Sequence, residues 1–388
     1  MDYKEKALLL HEQWAGKLEI ATRAPLDTAD DLALAYTPGV AEPCKKIAED
    51  PSLSYKYTRR GNMVAVISDG SAVLGLGNIG ALGAMPVMEG KCALFKKFGG
   101  VDAFPIVLDT QTEEGIINAV SALAPSFGGI NLEDISAPRC FNIERVLKEK
   151  LDIPVFHDDQ HGTAIVVLAA FINALRLTGK KAEDCTVTIS CPGAAGNAIA
   201  KLLVNSGVGN VIMCDRKGAL YRGRDNMDWA KTELAEITNK TGVKGGLREA
   251  VRGADMFVGV SGPGLVDADM IKSMNSRAVV LALANPVPEI LPAEALAAGA
   301  FIAGSGRSDF PNQVNNVLAF PGVFRGALDC RARTISEGMK IAAAYALADY
   351  VKDELRPDYV IPSALSPVAQ FVAKAVKEQA IKEKLNRC

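Results

Sequence analysis

The sequence has no block of basic residues, no Cys-x-x-Cys pair and no apolar run of membrane-spanning length. Its formal net charge is -2, so neither a nucleic acid nor an anionic membrane surface finds a complementary field on it. The longest unbroken apolar stretch, Ala164 to Ile172, is far short of the ~20 residues a membrane span needs. Near the N-terminus, Leu8-Leu9-Leu10 is too short for the core of a signal peptide, and a cytoplasmic location is expected. The eight cysteines (Cys44, Cys92, Cys140, Cys185, Cys191, Cys214, Cys330 and Cys388) are scattered singly. In a reducing compartment they are expected to be free thiols, mostly buried, and to build no zinc site.

What is present is a chain of 388 residues, 49% apolar and 23% charged, ordinary for a globular protein but too long for one core. Apolar runs alternate with helical stretches, which predicts an α/β fold with largely parallel sheets. We place an N-terminal α/β domain over residues 1–155 and a Rossmann-type, doubly wound domain with closing C-terminal helices over 156–388. In the first half, strands are expected at Val64–Ile67, Phe104–Leu108 and Ile153–Phe156; in the second, at Thr186–Ser190, Val211–Asp215, Met256–Val260, Ala278–Leu283 and Ala300–Ala303. Gly162 to Thr178 is apolar on nearly every side, the mark of a buried helix. Asp158 or Asp159 is placed to cap it and Gly179 to end it.

Two glycine motifs compete for a dinucleotide. Gly75-Leu76-Gly77-Asn78-Ile79-Gly80 matches G-x-G-x-x-G letter for letter, yet no acidic residue closes a second strand at the required distance. It reads better as a tight loop near a ligand. Cys191-Pro192-Gly193-Ala194-Ala195-Gly196 is a poorer string in a better context, between a strand and a helix, with Asp215 ending the next strand. Gly193 lets the backbone approach a pyrophosphate, the helix start supplies N–H groups, and Gly196 permits close helix–strand packing. Asp215 is suited to both ribose hydroxyls, which favours NAD; Arg216 and Lys217 follow it, so NADP stays possible.

Two acidic pairs, Glu133-Asp134 and Asp158-Asp159, end apolar runs. Parallel strands bring such ends to one sheet edge, where gathered carboxylates repel unless a hard dication neutralises them. The plainer readings are a helix cap and a solvated strand end. Neighbours on a strand point to opposite faces, so Glu133 and Asp134 can share a ligand only where the strand has broken. His157 and His161 stand four apart, which admits zinc, but an all-oxygen set suits Mg²⁺ or Mn²⁺ better. Lys91 falls on an apolar stripe with Met88 and Phe95 if a helix follows Pro86. Burial would lower its pKa and make it a base; a stem that snorkels to solvent is the alternative. Tyr36-Thr37-Pro38-Gly39-Val40 reads as a turn, with Gly39 free to take positive φ. Its tyrosine is either core or a phenol aimed into a cleft.

Together, Tyr36 to Val40, Asp69-Gly70 through Gly77, Lys91, Glu133-Asp134, Phe156 to Ala164, Ala284-Asn285-Pro286 and Asn312 to Val317 resemble the malic enzyme family, in its compact bacterial type, over nearly the whole chain. The resemblance implies oxidative decarboxylation of L-malate to pyruvate with NAD or NADP and Mg²⁺ or Mn²⁺, by a homodimer. It implies that Glu133, Asp134 and Asp159 are metal ligands, Lys91 the base and Tyr36 the acid. It implies that Asn285, Asn315 and Asn316 hold the substrate carboxylate and the nicotinamide side, while the strand–loop–helix context already assigns Pro192, Gly193, Ala194, Ala195, Gly196 and Asp215 to the dinucleotide. Larger family members carry an arginine two residues after the Asp-Gly pair; here Ser71-Ala72 occupies that stretch. Arg307 or backbone N–H groups around Gly75 and Gly77 are the replacements considered. A malolactic-type enzyme, a metal-free amino-acid dehydrogenase and a non-catalytic dinucleotide-binding regulator are the alternatives.

Overall fold

The computed structural model describes residues 3–73 and 75–388. Four parallel strands form the first sheet: β1 (Met63–Ser68), β2 (Asp102–Val107), β3 (Gly129–Leu132) and β4 (Val155–His157), in the order β2-β1-β3-β4. Val64 to Ile67 are fully buried, as a continuous apolar run becomes when helices cover both faces of a parallel strand. β4 pairs with β3 through Leu132 and His157. The first sheet therefore extends past residue 155, and a division at that residue falls inside β4.

The second sheet contains β5 (Thr186–Ser190), β6 (Asn210–Asp215), β7 (Gly218–Ala219), β8 (Met256–Gly259), β9 (Val279–Ala282) and β10 (Ile302–Ser305), in the order β10-β9-β8-β5-β6-β7. All pairs are parallel except the short edge strand β7. From β5 the chain goes to β6 on one side and to β8 on the other. That reversal makes a switch point at the carboxyl end of β5, where ligands bind in open α/β sheets.

Helix Asp158–Thr178 joins the two sheets and is buried over most of its length. By length and composition it is the one described helix that would also pass as a membrane span, but here it is packed inside the chain. Gly179 ends it at φ 73°, as expected. The start differs from expectation. His157 occupies the cap position without a side-chain bond, and both aspartates lie in the first turn, where their charge meets the positive end of the helix dipole.

Helix Gly80–Gly99 starts a full turn and more before Pro86, which sits inside it. Helix Phe320–Asp329, near the C-terminus, returns onto it: the Phe95 ring lies 4.6 Å from that of Phe320 and 5.3 Å from that of Phe324. One hydrophobic core thus runs through both sheets. The N-terminal arm is different. Its helices Tyr3–Trp14, Ala29–Ala35, Ala41–Glu49 and Ser54–Tyr57 contain no fully buried residue.

Candidate active site

The acidic pairs meet where the first sheet ends. β3 stops at Leu132, and Asp134 adopts φ 53°, a left-handed conformation that non-glycine residues hold only when the surroundings dictate it. The strand has therefore broken before Asp134, which meets the condition for neighbouring carboxylates to face one point. One carboxylate oxygen each from Glu133, Asp134 and Asp159 lie within 4.8 Å of one another. Asp159 Oδ2 accepts from the Asp134 N–H at 2.7 Å, and Asn131 Nδ2 donates to Glu133 Oε2 at 2.8 Å. Burial pushes the carboxyl of Asp159 up to about 6 and that of Glu133 above its usual range, with the Lys91 charge offsetting part of the rise. Such a set gains by holding a dication, and its all-oxygen donors are those of Mg²⁺ or Mn²⁺.

Lys91 lies on the buried stripe expected with Met88 and Phe95. Its side chain is 8% exposed, with Nζ 2.6 Å from Asp158 Oδ2, 2.9 Å from Glu133 Oε1 and 4.3 Å from the centre of the Phe320 ring. The stem does not snorkel to solvent. The expected direction of its pKa is reversed, however. Burial presses the pKa down, but the charges and hydrogen bonds of Asp158 and Glu133 outweigh it and hold the amine protonated. Asp158, in sequence a helix-cap candidate and a member of an acidic pair, is the fully buried carboxylate against Lys91. Burial, with Glu133 nearby, raises its carboxyl to about 7 even with Lys91 opposing. The nearest signal was its place in an acidic pair, but Lys91 is 67 residues away in sequence.

The histidines serve the scaffold. His161 Nε2 sits 2.8 Å from Glu144 Oε2 and its Nδ1 3.0 Å from the Lys340 ammonium. Burial pushes His161 down to about 4, so its ring is neutral at neutral pH. His157 Nδ1 pairs with Gln160 Nε2 at 2.9 Å, and its Nε2 approaches Asp159 Oδ2 at 3.4 Å. Among the described residues, the metal-competent group is the three acids without either imidazole.

The two glycine motifs separate as the sequence suggests, for clearer reasons. The Gly75–Gly80 loop does join a strand to a helix, but it turns toward the other domain: a Cβ on Gly75 would lie 2.8 Å from the carbonyl oxygen of Asn285. It is a tight loop that packs against the turn carrying Asn285. The Cys191–Gly196 loop follows β5 at the switch point, and Gly193 caps helix Ala194–Asn205 with no side chain over its first N–H groups. That is the form of a pyrophosphate cradle. A Cβ on Gly196 would stand 1.9 Å from the Cys191 carbonyl oxygen, so helix and loop touch as the fingerprint requires. Pro192, Ala194 and Ala195 line the same turn.

Asp215 ends β6 on the adjacent strand, as expected, but it is not a lone acceptor. Its Oδ2 takes a 2.5 Å bond from Arg224 and its Oδ1 a 2.8 Å bond from the Lys217 N–H, with Lys231 at 3.5 Å. Partial burial works against its charge, but these donors outweigh it and lower its pKa. Arg224 and Lys231 thus offset part of the negative charge with which Asp215 favours NAD.

Asn285 is exposed, its carbonyl against Gly75 and its amide 2.9 Å from the position a Gly306 Cβ would take. Asn316 stands beside Asp158 across Gly162, whose Cβ would meet both. Asn315 is partly engaged, since its Oδ1 accepts from the Val317 N–H at 3.0 Å. Of the replacements considered for the missing arginine, Arg307 is already held by Asp309 through two bonds of 2.8 and 2.6 Å and by the Pro286 carbonyl at 2.9 Å. The Gly77 N–H likewise donates to the Val73 carbonyl at 3.2 Å.

Tyr36 closes helix Ala29–Ala35 and is 68% exposed, neither core nor enclosed by a cleft of its own chain. Gly39 does not take the expected left-handed φ. It is glycine because a Cβ would lie 2.7 Å from the Ala33 carbonyl and 2.9 Å from the Leu34 Cα. All eight cysteines are free thiols, with Cys44 and Cys388 exposed.

A buried amine on two carboxylates, three converging acids and a switch-point glycine loop on a Rossmann-type sheet define a two-domain α/β dinucleotide-binding chain. Residues 15–116 match the malic enzyme N-terminal domain and residues 160–381 the malic enzyme NAD binding domain. The chain belongs to the malic enzyme family. It is 55% identical to the bifunctional malic/malolactic enzyme of Bacillus subtilis, covering 98% of this chain and 94% of that one. It is 54% identical to the NAD-dependent malic enzyme of Geobacillus stearothermophilus, covering 98% and 79%. The solved structure of the malic enzyme from Pyrococcus horikoshii superposes with a TM-score of 0.95 at 50% identity, covering 100% of this chain and 92% of that one.

Proposed function

We propose that the chain oxidises L-malate with NAD and decarboxylates the product to pyruvate, as a cytoplasmic enzyme loaded with Mg²⁺ or Mn²⁺. The observation that carries this reading is Lys91 Nζ standing 2.9 Å from Glu133, itself one of the three converging acids. A proton-handling amine and a place for a dication thus share one carboxylate. Glu133, Asp134 and Asp159 would hold the ion, which would supply Lewis-acid polarisation of the substrate's C2 oxygen and carbonyl.

The chain's own groups account for the proton traffic. Lys91 and Asp158, 2.6 Å apart, are buried together, so they titrate as one unit. With the raised Asp158 carboxyl taking the proton, Lys91 becomes the free amine that accepts one from the C2 hydroxyl as hydride leaves C2 for the nicotinamide. After loss of the C4 carboxylate, Tyr36 returns a proton to C3. The Cys191–Gly196 loop orients the dinucleotide, and the carboxamides of Asn285, Asn315 and Asn316 face the substrate and the nicotinamide side. A second reading, release of lactate without net NADH, draws support from the bifunctional Bacillus relative.

An assay with malate, Mn²⁺ and either dinucleotide tests the reading. NAD is expected to be reduced in preference to NADP, and Asp215→Ser is expected to raise the KM for NAD by about 10-fold or more, the worth of a charge-assisted hydrogen bond. Preference for NADP in the unaltered chain would overturn the ribose role of Asp215, and reduction of neither would overturn the oxidative reading.

A further inference from the structure

We infer that Glu144 is a positioning residue: it clamps the turn over residues 157–161 so that Asp158 meets Lys91 and Asp159 joins the three converging acids. The inference rests on the roles given above to those two aspartates and asks what aims them. Glu144 lies on helix Arg139–Lys150 of the first domain, its side chain 6% exposed. No step proposed above uses it. A buried carboxylate is costly unless it is fully paired, and here both oxygens are. Oε1 pairs with the Lys148 ammonium at 2.7 Å and accepts from the His157 N–H at 3.2 Å. Oε2 accepts from His161 Nε2 at 2.8 Å and from Gln160 Nε2 at 3.3 Å.

Three residues of that turn thus hang on one carboxylate, and the two between them are Asp158 and Asp159. The helix start explains why a neighbour is needed. His157, at the cap, makes no side-chain bond to the first turn. In a capping box the third helical residue reaches back to the N–H of the cap. Here that residue is Gln160, whose amide nitrogen is spent on the His157 ring and on Glu144. Glu144 therefore accepts the cap N–H from a different helix, and its charge lies at the positive end of the helix dipole.

The bonds also have a direction. A carboxylate only accepts, so the Gln160 atom against Glu144 is the amide nitrogen, which gives its other hydrogen to His157 Nδ1 at 2.9 Å. Burial presses the pKa of His157 down, so the neutral ring carries its proton on Nε2, and that atom faces Asp159 Oδ2 at 3.4 Å. His161 is set from the opposite side. The Lys340 ammonium donates to its Nδ1 at 3.0 Å, which leaves the Nε2 hydrogen for Glu144. Lys340 is 2% exposed and belongs to helix Glu337–Tyr350. One carboxylate of the first domain therefore orients both imidazoles, and through His157 it reaches the carboxylate of Asp159.

Titration of the metal-free protein with Mn²⁺, followed by electron paramagnetic resonance with steady-state kinetics alongside, tests the clamp. Glu144→Gln keeps the shape but turns an NH₂ toward groups that also donate. Partners that orient metal ligands typically carry ~10–100-fold of metal affinity or activity, so the Mn²⁺ Kd is expected to rise about 10-fold or more and malate turnover to fall with it. NAD affinity stays near that of the unaltered chain. Gln160→Met cuts only the path to His157 and leaves Glu144 in place, so it decides the question should Glu144→Gln not fold. A several-fold rise in its Mn²⁺ Kd is expected. A role confined to stability would lower the melting temperature of both variants while the Mn²⁺ Kd and turnover of the folded protein stay unchanged. That result overturns the clamp and leaves the functional reading standing. An unaltered chain that neither binds Mn²⁺ nor turns over malate overturns that reading and the clamp with it.

Discussion

Lys91→Ala is expected to lower malate turnover by at least ~10²–10⁴-fold, the contribution of a positioned acid–base group, while NAD affinity stays near that of the unaltered chain. The separation follows from position. Lys91 contacts Glu133, Asp158 and Phe320, all distant in sequence from the Cys191–Gly196 loop. The variant also carries a stability signature. Without the ammonium, Glu133 and Asp158 remain buried, with folded-state pKa values above those of the unfolded chain. Groups raised in this way are tolerated while protonated and destabilise once they must ionise. The melting temperature of Lys91→Ala should therefore fall, relative to the unaltered chain, as pH rises through about 7. Steady-state kinetics, NAD titration and melting curves at several pH values check the three parts. Unchanged turnover would remove Lys91 from the chemistry.

Glu133→Gln carries the other large effect. It removes one of three charges from the cluster and also a partner of Lys91. The Mn²⁺ concentration needed for half activity should rise ~10²-fold or more, since truncating a buried charged contact costs about 3–5 kcal/mol. In the unaltered chain, metal affinity should weaken as pH drops through about 6, because Asp159 then retains its proton and the ion must displace it. Mn²⁺ titrations followed by electron paramagnetic resonance at pH 5.5 and 7.5 measure both. Equal Mn²⁺ dependence in the variant would remove Glu133 from the ligand set.

Much of the fold was legible because buried parallel strands write themselves as apolar runs. Thr186–Ser190 coincides with β5, and the expected Met256–Val260 and Val211–Asp215 differ from β8 and β6 by one residue each. The short edge strand Gly218–Ala219 carries no such run, and it was not anticipated. Helix Phe320–Asp329 was also missed, although its Pro321 sits in the first turn, where proline is welcome. The N-terminal arm was illegible for a deeper reason. Hydrophobic patterning reports a face that some surface must cover, and here the rest of the chain does not cover it.

At the site, residue types that act through local sequence were readable, while those that act through tertiary pairing were not. The stripe of Met88, Lys91 and Phe95 predicted the burial of Lys91. The sign of its pKa depended on Asp158 and Glu133, which only folding brings to it. Asp215 was correctly placed at the end of its strand, but its bond to Arg224 crosses a turn that sequence spacing does not resolve. Glu289 left no signal at all. It is fully buried and accepts from the Ser261 N–H at 2.7 Å and the Ala284 N–H at 3.2 Å, tying the loops after β8 and β9 together beside Asn285.

The most direct test of the central assignment is the product balance with malate, Mn²⁺ and NAD, following absorbance at 340 nm alongside pyruvate, lactate and CO₂. One NADH, one pyruvate and one CO₂ per malate consumed is the predicted result. Lactate and CO₂ without accumulating NADH would contradict it.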